Sequence, residues 1–173
     1  MAAPVPEEFV GYRARVDEAL ADYLDADTPA RLYDAARHLP ESGGKRLRPI
    51  LVVLGHDAVD GGDVAGVLPA AVAVELIHTC SLSHDDIIDD DALRRGEESV
   101  HVAYDEPTGI LTGDLLYSRA FEALSDCDAP DATLSRCCSL LARTCSTVCE
   151  GQILDTEFEE RTDVTESEYL AMV

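Results

Sequence analysis

Residues 64–91 read VAGVLPAAVAVELIHTCSLSHDDIIDDD, and this stretch decides the fold. From Val67 to Ile77 it is almost wholly apolar, so a helix here must be buried on most sides. From His84 to Asp91 only Ile87 and Ile88 interrupt the charge. One helix from about Val64 to Asp91 would carry both parts, with Asp85 and Asp89 four residues apart. That spacing places them one turn apart along the axis and about 40° apart around it. Two carboxylates stacked in this way can share Mg²⁺, a hard cation that keeps its other positions for water and phosphate oxygen. Asp86 points to one side as a supporting partner, and Asp90 and Asp91 extend the run. Locally the placement is unfavourable, since anions at a helix C-terminus oppose the macrodipole and like charges at this spacing repel. A bound divalent ion offsets both penalties. Read alone, the run is equally a solvated acidic helix end. It is not an EF-hand loop, because the alternating ligands and central glycine are missing.

Outward from this helix the periodicity is helical nearly throughout, with no convincing strand alternation. Pro6 to about Leu24 forms an amphipathic helix with Phe9, Val10, Tyr12, Val16, Ala19, Leu20 and Tyr23 on its apolar side. Thr28 as N-cap and Pro29 at N1 open a second, to about His38, before Leu39-Pro40-Glu41-Ser42-Gly43-Gly44 breaks it. A third runs from about Arg46 to Val59 and stops at Asp60-Gly61-Gly62. After the central helix a loop extends from Arg94 to Asp105, and Pro107 opens a fifth helix to about Leu124. A sixth occupies about Ala129 to Glu160, and Thr165 caps a seventh. The fold class is all-α, a single domain over residues 1–173.

The 173 residues hold 35 Asp and Glu against 13 Lys and Arg, a net charge of -22. Such acidity repels phosphate backbones and excludes a general nucleic-acid binder. A hydrophobic content of 46% excludes a disordered acidic tail. No apolar run reaches 18 residues and no signal or lipidation pattern is present, so a soluble, cytoplasmic protein without a membrane anchor is expected. Six cysteines without a secretion signal do not make a disulfide framework. Cys138, Cys145 and Cys149 share a helical face, but no His joins them. Structural zinc needs four ligands, and buried thiols act as small hydrophobes.

The cations are more informative than the anions. Lys45 is the lone lysine beside 12 arginines. A surface rich in Asp and Glu and nearly free of Lys suits a halophilic cytoplasm, where molar salt shortens the screening length to about 3 Å. Against that background five of the 13 cations fall into two short clusters, Lys45-Arg46-Leu47-Arg48 and Arg94-Arg95. The first follows a Gly43-Gly44 turn at a helix start, where backbone N–H groups also favour anions. The second follows the aspartates by three residues and offers forked donors for diphosphate oxygens. An exposed basic turn is the plainer alternative for the first cluster, and the lone lysine argues against it. His78 taken alone reads as a satisfied core histidine.

Together, GGKRLRP (43–49), ELIHTCSLSHDDIIDDDALRRG (75–96), the Gly113-Asp114 pair of LTGDLL (111–116) and EGQILD (150–155) resemble the trans-isoprenyl diphosphate synthases. These make geranylgeranyl, farnesyl and longer prenyl diphosphates. The resemblance runs along almost the whole chain, and the acidity makes the source look haloarchaeal. It implies an isoprenoid-synthase-type helical bundle and a prenyltransferase that condenses an allylic diphosphate with isopentenyl diphosphate. It also implies a catalytic set of Asp85, Asp86 and Asp89, with Asp85 and Asp89 as ligands of Mg²⁺. Arg94 would contact the allylic diphosphate, and Lys45, Arg48, His78 and Arg95 the isopentenyl diphosphate. Gln152 and Asp155 match a polar patch facing the cavity, and a homodimer is the expected assembly. Cys80 and Ser81, five and four residues before Asp85, lie roughly 6–7.5 Å down the helix toward the cavity floor. In the resembled family bulky aromatics there stop elongation early, so these small residues imply a product of twenty carbons or longer.

Two departures stand out. Glu97-Glu98-Ser99 replaces the usual Lys-Pro-Thr and reads as surface adaptation. The chain also ends at Val173, before a second Asp-rich motif, so the bundle is expected to be truncated after six or seven helices with an apolar face left uncovered. A non-catalytic synthase-like subunit that binds or regulates a partner is the alternative function, and a cation-buffering acidic bundle is a third.

Overall fold

The computed structural model describes residues 7–59 and 61–173. Among these, eight helices and one two-stranded hairpin follow in the order α1 Glu7–Tyr23, α2 Ala30–Glu41, α3 Leu47–Val59, α4 Leu68–Ile88, β1 Leu93–Arg94, β2 Glu97–Glu98, α5 Val100–Ala103, α6 Glu106–Ser125, α7 Asp131–Glu159 and α8 Glu166–Met172. No helix among the described residues is long and apolar enough to cross a membrane. The chain divides into two compact units, residues 1–129 and 130–173.

The first unit is built around α4. No residue from Gly66 to Ile87 is exposed, as the apolar run requires. Ala71, Val72, Ala73 and Leu76 are buried on it, facing a core that includes Val16 and Leu20 of α1, Val53 of α3 and Leu116, Ala120 and Ala123 of α6. Each fully buried leucine contributes about 2 kcal/mol of transfer free energy. The α4–α6 packing is the closest in the unit, because α6 presents glycines where α4 presents long side chains. A methyl at Gly113 would lie 2.1 Å from His84 Nε2, and one at Gly109 2.9 Å from Ile87 Cδ1. The space so freed lets Ser83 donate to the carbonyl of Gly109 at 3.1 Å and lets His84 Nε2 reach the carbonyl of Ile110 at 3.0 Å. Helix α2 is tied to α6 from the other side. Arg31 pairs with Asp105 at 2.8 Å, and Arg119 donates to the Tyr33 hydroxyl at 2.7 Å.

Several boundaries differ from the sequence reading. The expected start of the first helix at Pro6, and Asp60 at the end of the third, lie outside the described residues. Helix α2 continues through Pro40 to Glu41. A proline so near a helix end forfeits only one late hydrogen bond, and the break falls instead at Ser42-Gly43-Gly44. Thr28 is not the N-cap of α2; Pro29 holds that position without a side-chain cap. Residues 64–66 form a 3-10 turn, and α4 proper begins at Leu68 with Pro69 in its first turn, where a missing N–H costs nothing. The fifth expected helix starts one residue early, at Glu106, because Asp105 caps it by accepting from the Thr108 N–H.

The stretch read as a loop from Arg94 to Asp105 is instead a hairpin followed by the one-turn α5, which raises the helix number above the six or seven expected. Leu93 pairs with Glu98 and Arg94 with Glu97 across a two-residue turn. Both turn residues have positive φ, 59° at Arg95 and 91° at Gly96, the conformation that matches strand twist in tight hairpins. Glu97 and Glu98 are exposed, as expected of surface adaptation, but Ser99 is not. It is fully buried, stands at the N-cap position of α5 without a side-chain cap, and takes its N–H to the Ala92 carbonyl at 3.1 Å.

The second unit consists of α7 and α8. Helix α7 fully buries none of its side chains. Thr165 caps α8 as the sequence suggested, through a reciprocal capping box with Glu168.

Substituting Gly113→Ala should destabilise the protein by about 2 kcal/mol, because the imidazole of His84 must be expelled from its slot. Thermal unfolding measures this, and a matched Gly55→Ala change in α3, where a methyl meets nothing within 4 Å, should leave stability unchanged or raise it.

Candidate active site

Each aspartate of the 85–91 run has a separate structural role. Asp89 is the C-cap of α4 and its N–H still reaches the Asp85 carbonyl at 2.8 Å, so the helical turn between them is intact. Asp85 is half-buried and Asp89 exposed on the same face. Burial pushes the Asp85 carboxyl above its ordinary value, and the Asp89 charge adds to this. Asp86 faces the other way. It is buried, and its Oδ1 accepts from Arg94 Nε at 2.6 Å and from Arg94 Nη2. Asp91 completes the clamp, accepting from Arg94 Nη2 at 3.1 Å. Asp90 ends the helix: at φ 54° it turns the chain left-handed, so the Asp91 N–H closes back on the Asp86 carbonyl at 2.9 Å and the Asp90 N–H on that of Ile87 at 3.4 Å. This is a Schellman closure with aspartate where glycine is usual.

The second cluster surrounds a pocket of about 500 Å³ lined by Gly44, Lys45, Arg46, Arg48, Glu75, His78 and Arg95 among others. The turn that carries Lys45 is built from unusual backbone, with φ 92° at Gly43, 152° at Gly44 and 51° at Arg46. Gly44, at φ 152°, holds a backbone conformation that residues with a side chain rarely adopt, and a methyl there would also press on Arg46 Nη1 and Arg95 Nη1, each at 2.8 Å. Lys45 and Arg48 are exposed at the pocket mouth. His78 lies 3.3 Å from Arg48 Nη1 through its Nε2. Burial, then the positive charges of Arg48, Arg95, Arg46 and Arg94, hold the His78 imidazole down at about 4. It is therefore neutral at ordinary pH and accepts from Arg48, rather than being the satisfied core histidine of the plainer reading. Arg95 leans into the same pocket, donating to the carbonyls of Gly43 and Leu39.

Among the described residues, the three non-glycine residues with positive φ, Arg46, Asp90 and Arg95, all belong to these two clusters. Each costs on the order of 1 kcal/mol, a strain that characteristically gathers at functional sites. The seven positions between His78 and Asp85 bring them to one face of α4, about 10 Å apart along its axis.

The structure thus brings Lys45, Arg48, His78 and Arg95 around one pocket and sets Asp85 and Asp89 on one helix face. Arg94 is engaged by Asp86 and Asp91, leaving its Nη1 outside both pairs. Among the described residues no three carboxylate, imidazole or thiol groups converge on a single point. The acidic pair still suits a divalent cation, since its carboxylates repel each other and Arg94 turns most of its charge to Asp86 and Asp91. Cys80 is buried, and the Ser81 hydroxyl turns back to the His78 carbonyl at 2.9 Å. Gln152 and Asp155 lie three residues apart on α7, in the second unit, with Gln152 half-buried and Asp155 exposed. What sequence reasoning missed is Arg46 with Glu75 and Asp17. Arg46 is 4% exposed, with Nη1 2.9 Å from Glu75 Oε1 and Nε 2.7 Å from Asp17 Oδ1. The one available signal was Glu75, a lone charge in an apolar run.

Two outcomes are expected. Asp90→Gly should stabilise the protein by about 1 kcal/mol by relieving a left-handed aspartate and removing an anion from a helix end, as read by denaturant unfolding. His78 should remain neutral in an NMR titration until the pH approaches about 4, rather than protonating near 6.5. Its folded value lies below its unfolded one, so the associated stability is complete above about 6.5 and is lost as pH falls toward 4.

Comparison with known proteins agrees with this geometry. A family model described as polyprenyl synthetase matches residues 29–173. A geranylgeranyl diphosphate synthase of Methanosarcina mazei is 47% identical over 173 residues, covering 100% of this chain and 53% of the relative. A geranylfarnesyl diphosphate synthase of Natronomonas pharaonis is 46% identical over 176 residues, covering 93% of this chain and 52% of the relative. Among solved structures, a geranylgeranyl pyrophosphate synthetase from Geoglobus acetivorans superposes with a TM-score of 0.93 at 47% identity, over 96% of this chain and 54% of that one. The chain therefore spans about half the length of the relatives it matches. The resemblance drawn from the motifs is borne out, as is the isoprenoid-synthase-type helical fold. The chain belongs to the polyprenyl synthetase family.

Proposed function

We propose that these residues form the substrate-binding wall of a prenyltransferase that joins an allylic diphosphate to isopentenyl diphosphate. The observation that carries this reading is the pairing on one face of α4: a cation-lined pocket around His78 and, two turns on, the Asp85–Asp89 pair. A diphosphate in the pocket would meet Lys45, Arg48 and Arg95, whose charges are otherwise poorly compensated. The neutral His78 orients Arg48 and adds no proton of its own. Asp85 and Asp89 would hold Mg²⁺ against the allylic diphosphate, and that ion would stabilise the charge growing on the departing group. Asp86 acts indirectly, by fixing Arg94 so that its remaining Nη1 faces the same diphosphate.

In the reaction the allylic C–O bond breaks, the isopentenyl double bond supplies the electrons of the new C–C bond, and one proton is lost. The carbocation so formed demands apolar, water-poor surroundings. The small Cys80 and Ser81 below the aspartates favour a product of twenty carbons, with twenty-five or more open to the same walls. The names of the relatives, geranylgeranyl and geranylfarnesyl synthases, span that range. The same reading takes residues 1–173 as one all-α domain of a cytoplasmic, halophilic homodimer.

The test is turnover in molar KCl with Mg²⁺, farnesyl diphosphate and labelled isopentenyl diphosphate, with products separated by mass spectrometry. A diphosphate of twenty or more carbons is expected, falling at least a hundredfold in Asp85→Ala, on the order of the loss when one group that stabilises transition-state charge is removed. Turnover unaffected by Asp85→Ala, or absence of product both from this chain and from one extended to the length of its relatives, would overturn the reading.

A further inference from the structure

We infer that Arg46 and Glu75 are positioning residues for the diphosphate pocket: their buried ion pair holds the Gly43–Lys45 turn in the shape that presents Lys45 to a ligand. This rests on the pocket being the isopentenyl diphosphate site proposed above. The turn's own backbone bond lies at its start, where the Gly43 N–H reaches the Pro40 carbonyl at 3.2 Å, and Arg95 also donates to the Gly43 carbonyl. The backbone of the turn lies at positive φ at Gly43, Gly44 and Arg46, and its glycines have no side chains with which to pack. Behind it lies a second cavity, of about 290 Å³, between α1 and α2 and lined by Leu20, Leu24, Pro40 and Gly43 among others. The turn is therefore undercut, and apolar packing does not fix its rear side.

Arg46 stands between the two cavities and lines both. Its guanidinium donates to the Pro40 carbonyl at 2.7 Å and the Gly43 carbonyl at 3.3 Å, so it grips the end of α2 and the first glycine of the turn. The same group is anchored at the far side by Glu75 on α4 and Asp17 on α1. Glu75 lies one turn before His78, so the anchor and the imidazole share a rigid element. Four attachments on one planar fork are beyond a lysine, whose ammonium offers three donors from a single point. Glu75 is 2% exposed, and its Oε2 has no hydrogen-bond partner although the residue lines the ligand pocket. A carboxylate in the wall of an anion pocket opposes binding by charge. Its presence there fits a geometric role.

Ion pairs of this kind can often be replaced by apolar side chains without loss of stability, which separates position from mere folding. Four proteins would be titrated with isopentenyl diphosphate by calorimetry in molar KCl: the unaltered chain, Glu75→Gln, Arg46→Lys and the double change Arg46→Met with Glu75→Met. Thermal unfolding would be followed alongside. The double variant is expected to retain its helical signal and melting temperature yet bind about tenfold more weakly, the scale of one misplaced charge-assisted contact. Arg46→Lys should weaken binding similarly, although the charge is kept. Affinity for farnesyl diphosphate with Mg²⁺ should not change in any of them. Unaltered isopentenyl diphosphate affinity in Arg46→Lys or in the double variant overturns the positioning role and leaves the proposed site standing. Absence of binding by the unaltered chain removes the site itself, and this inference with it.

Discussion

The close approach of α6 to α4 is the constraint on which the rest depends. Two side chains of α4, His84 and Ile87, fill positions where α6 has only glycine. The hydroxyl of Ser83 then spends its donor on the α6 backbone instead of on its own helix. Helix α4 is thereby fixed in rotation as well as in depth. A rotation by one residue's arc, about 100°, would carry Asp85 to the place now taken by Asp86. The buried apolar half of α4 could not prevent that alone, since it is hydrophobic nearly all round.

With rotation fixed, a run of five aspartates can be divided among different tasks. Asp86 goes inward and neutralises Arg94; Asp85 and Asp89 remain on the open face; Asp90 ends the helix and Asp91 closes the clamp. Repulsion within the run is reduced because only two of the five carboxylates face one another without a cation engaged. The two arginines that follow are divided in the same manner, Arg94 toward the aspartates and Arg95 toward the glycine turn.

Much of this was legible in the sequence. The apolar run of 67–77 required a buried helix, and the spacing of Asp85 and Asp89 placed them on one face. The Gly43–Pro49 segment announced a cationic turn at a helix start, and the short motifs taken together announced the family. What could not be read depends on contacts between distant residues. The hairpin at 93–98 has two residues per strand, too few for any alternation to register, and its turn uses an arginine where asparagine or aspartate is the usual signal. That Ser99 is buried follows from its bond to Ala92, which no local pattern reveals. Arg46 looked like one more cation of a basic turn. Only the fold brings Asp17 and Glu75 to it, from positions 29 residues away on either side.

The tight hairpin that follows α4 has a geometric consequence. Arg94 and Arg95 are neighbours in the chain, yet one is bound to the end of α4 and the other to the turn between α2 and α3. A single peptide unit, with its fixed Cα spacing of about 3.8 Å, thus sets the gauge between the acidic end of α4 and the cation-lined pocket. Because the turn has only two residues, there is no slack to absorb an insertion or deletion. Glu97 and Glu98 are exposed and carry no such constraint, whereas a change in the length of the segment would part Arg94 from Asp86 or Arg95 from Gly43.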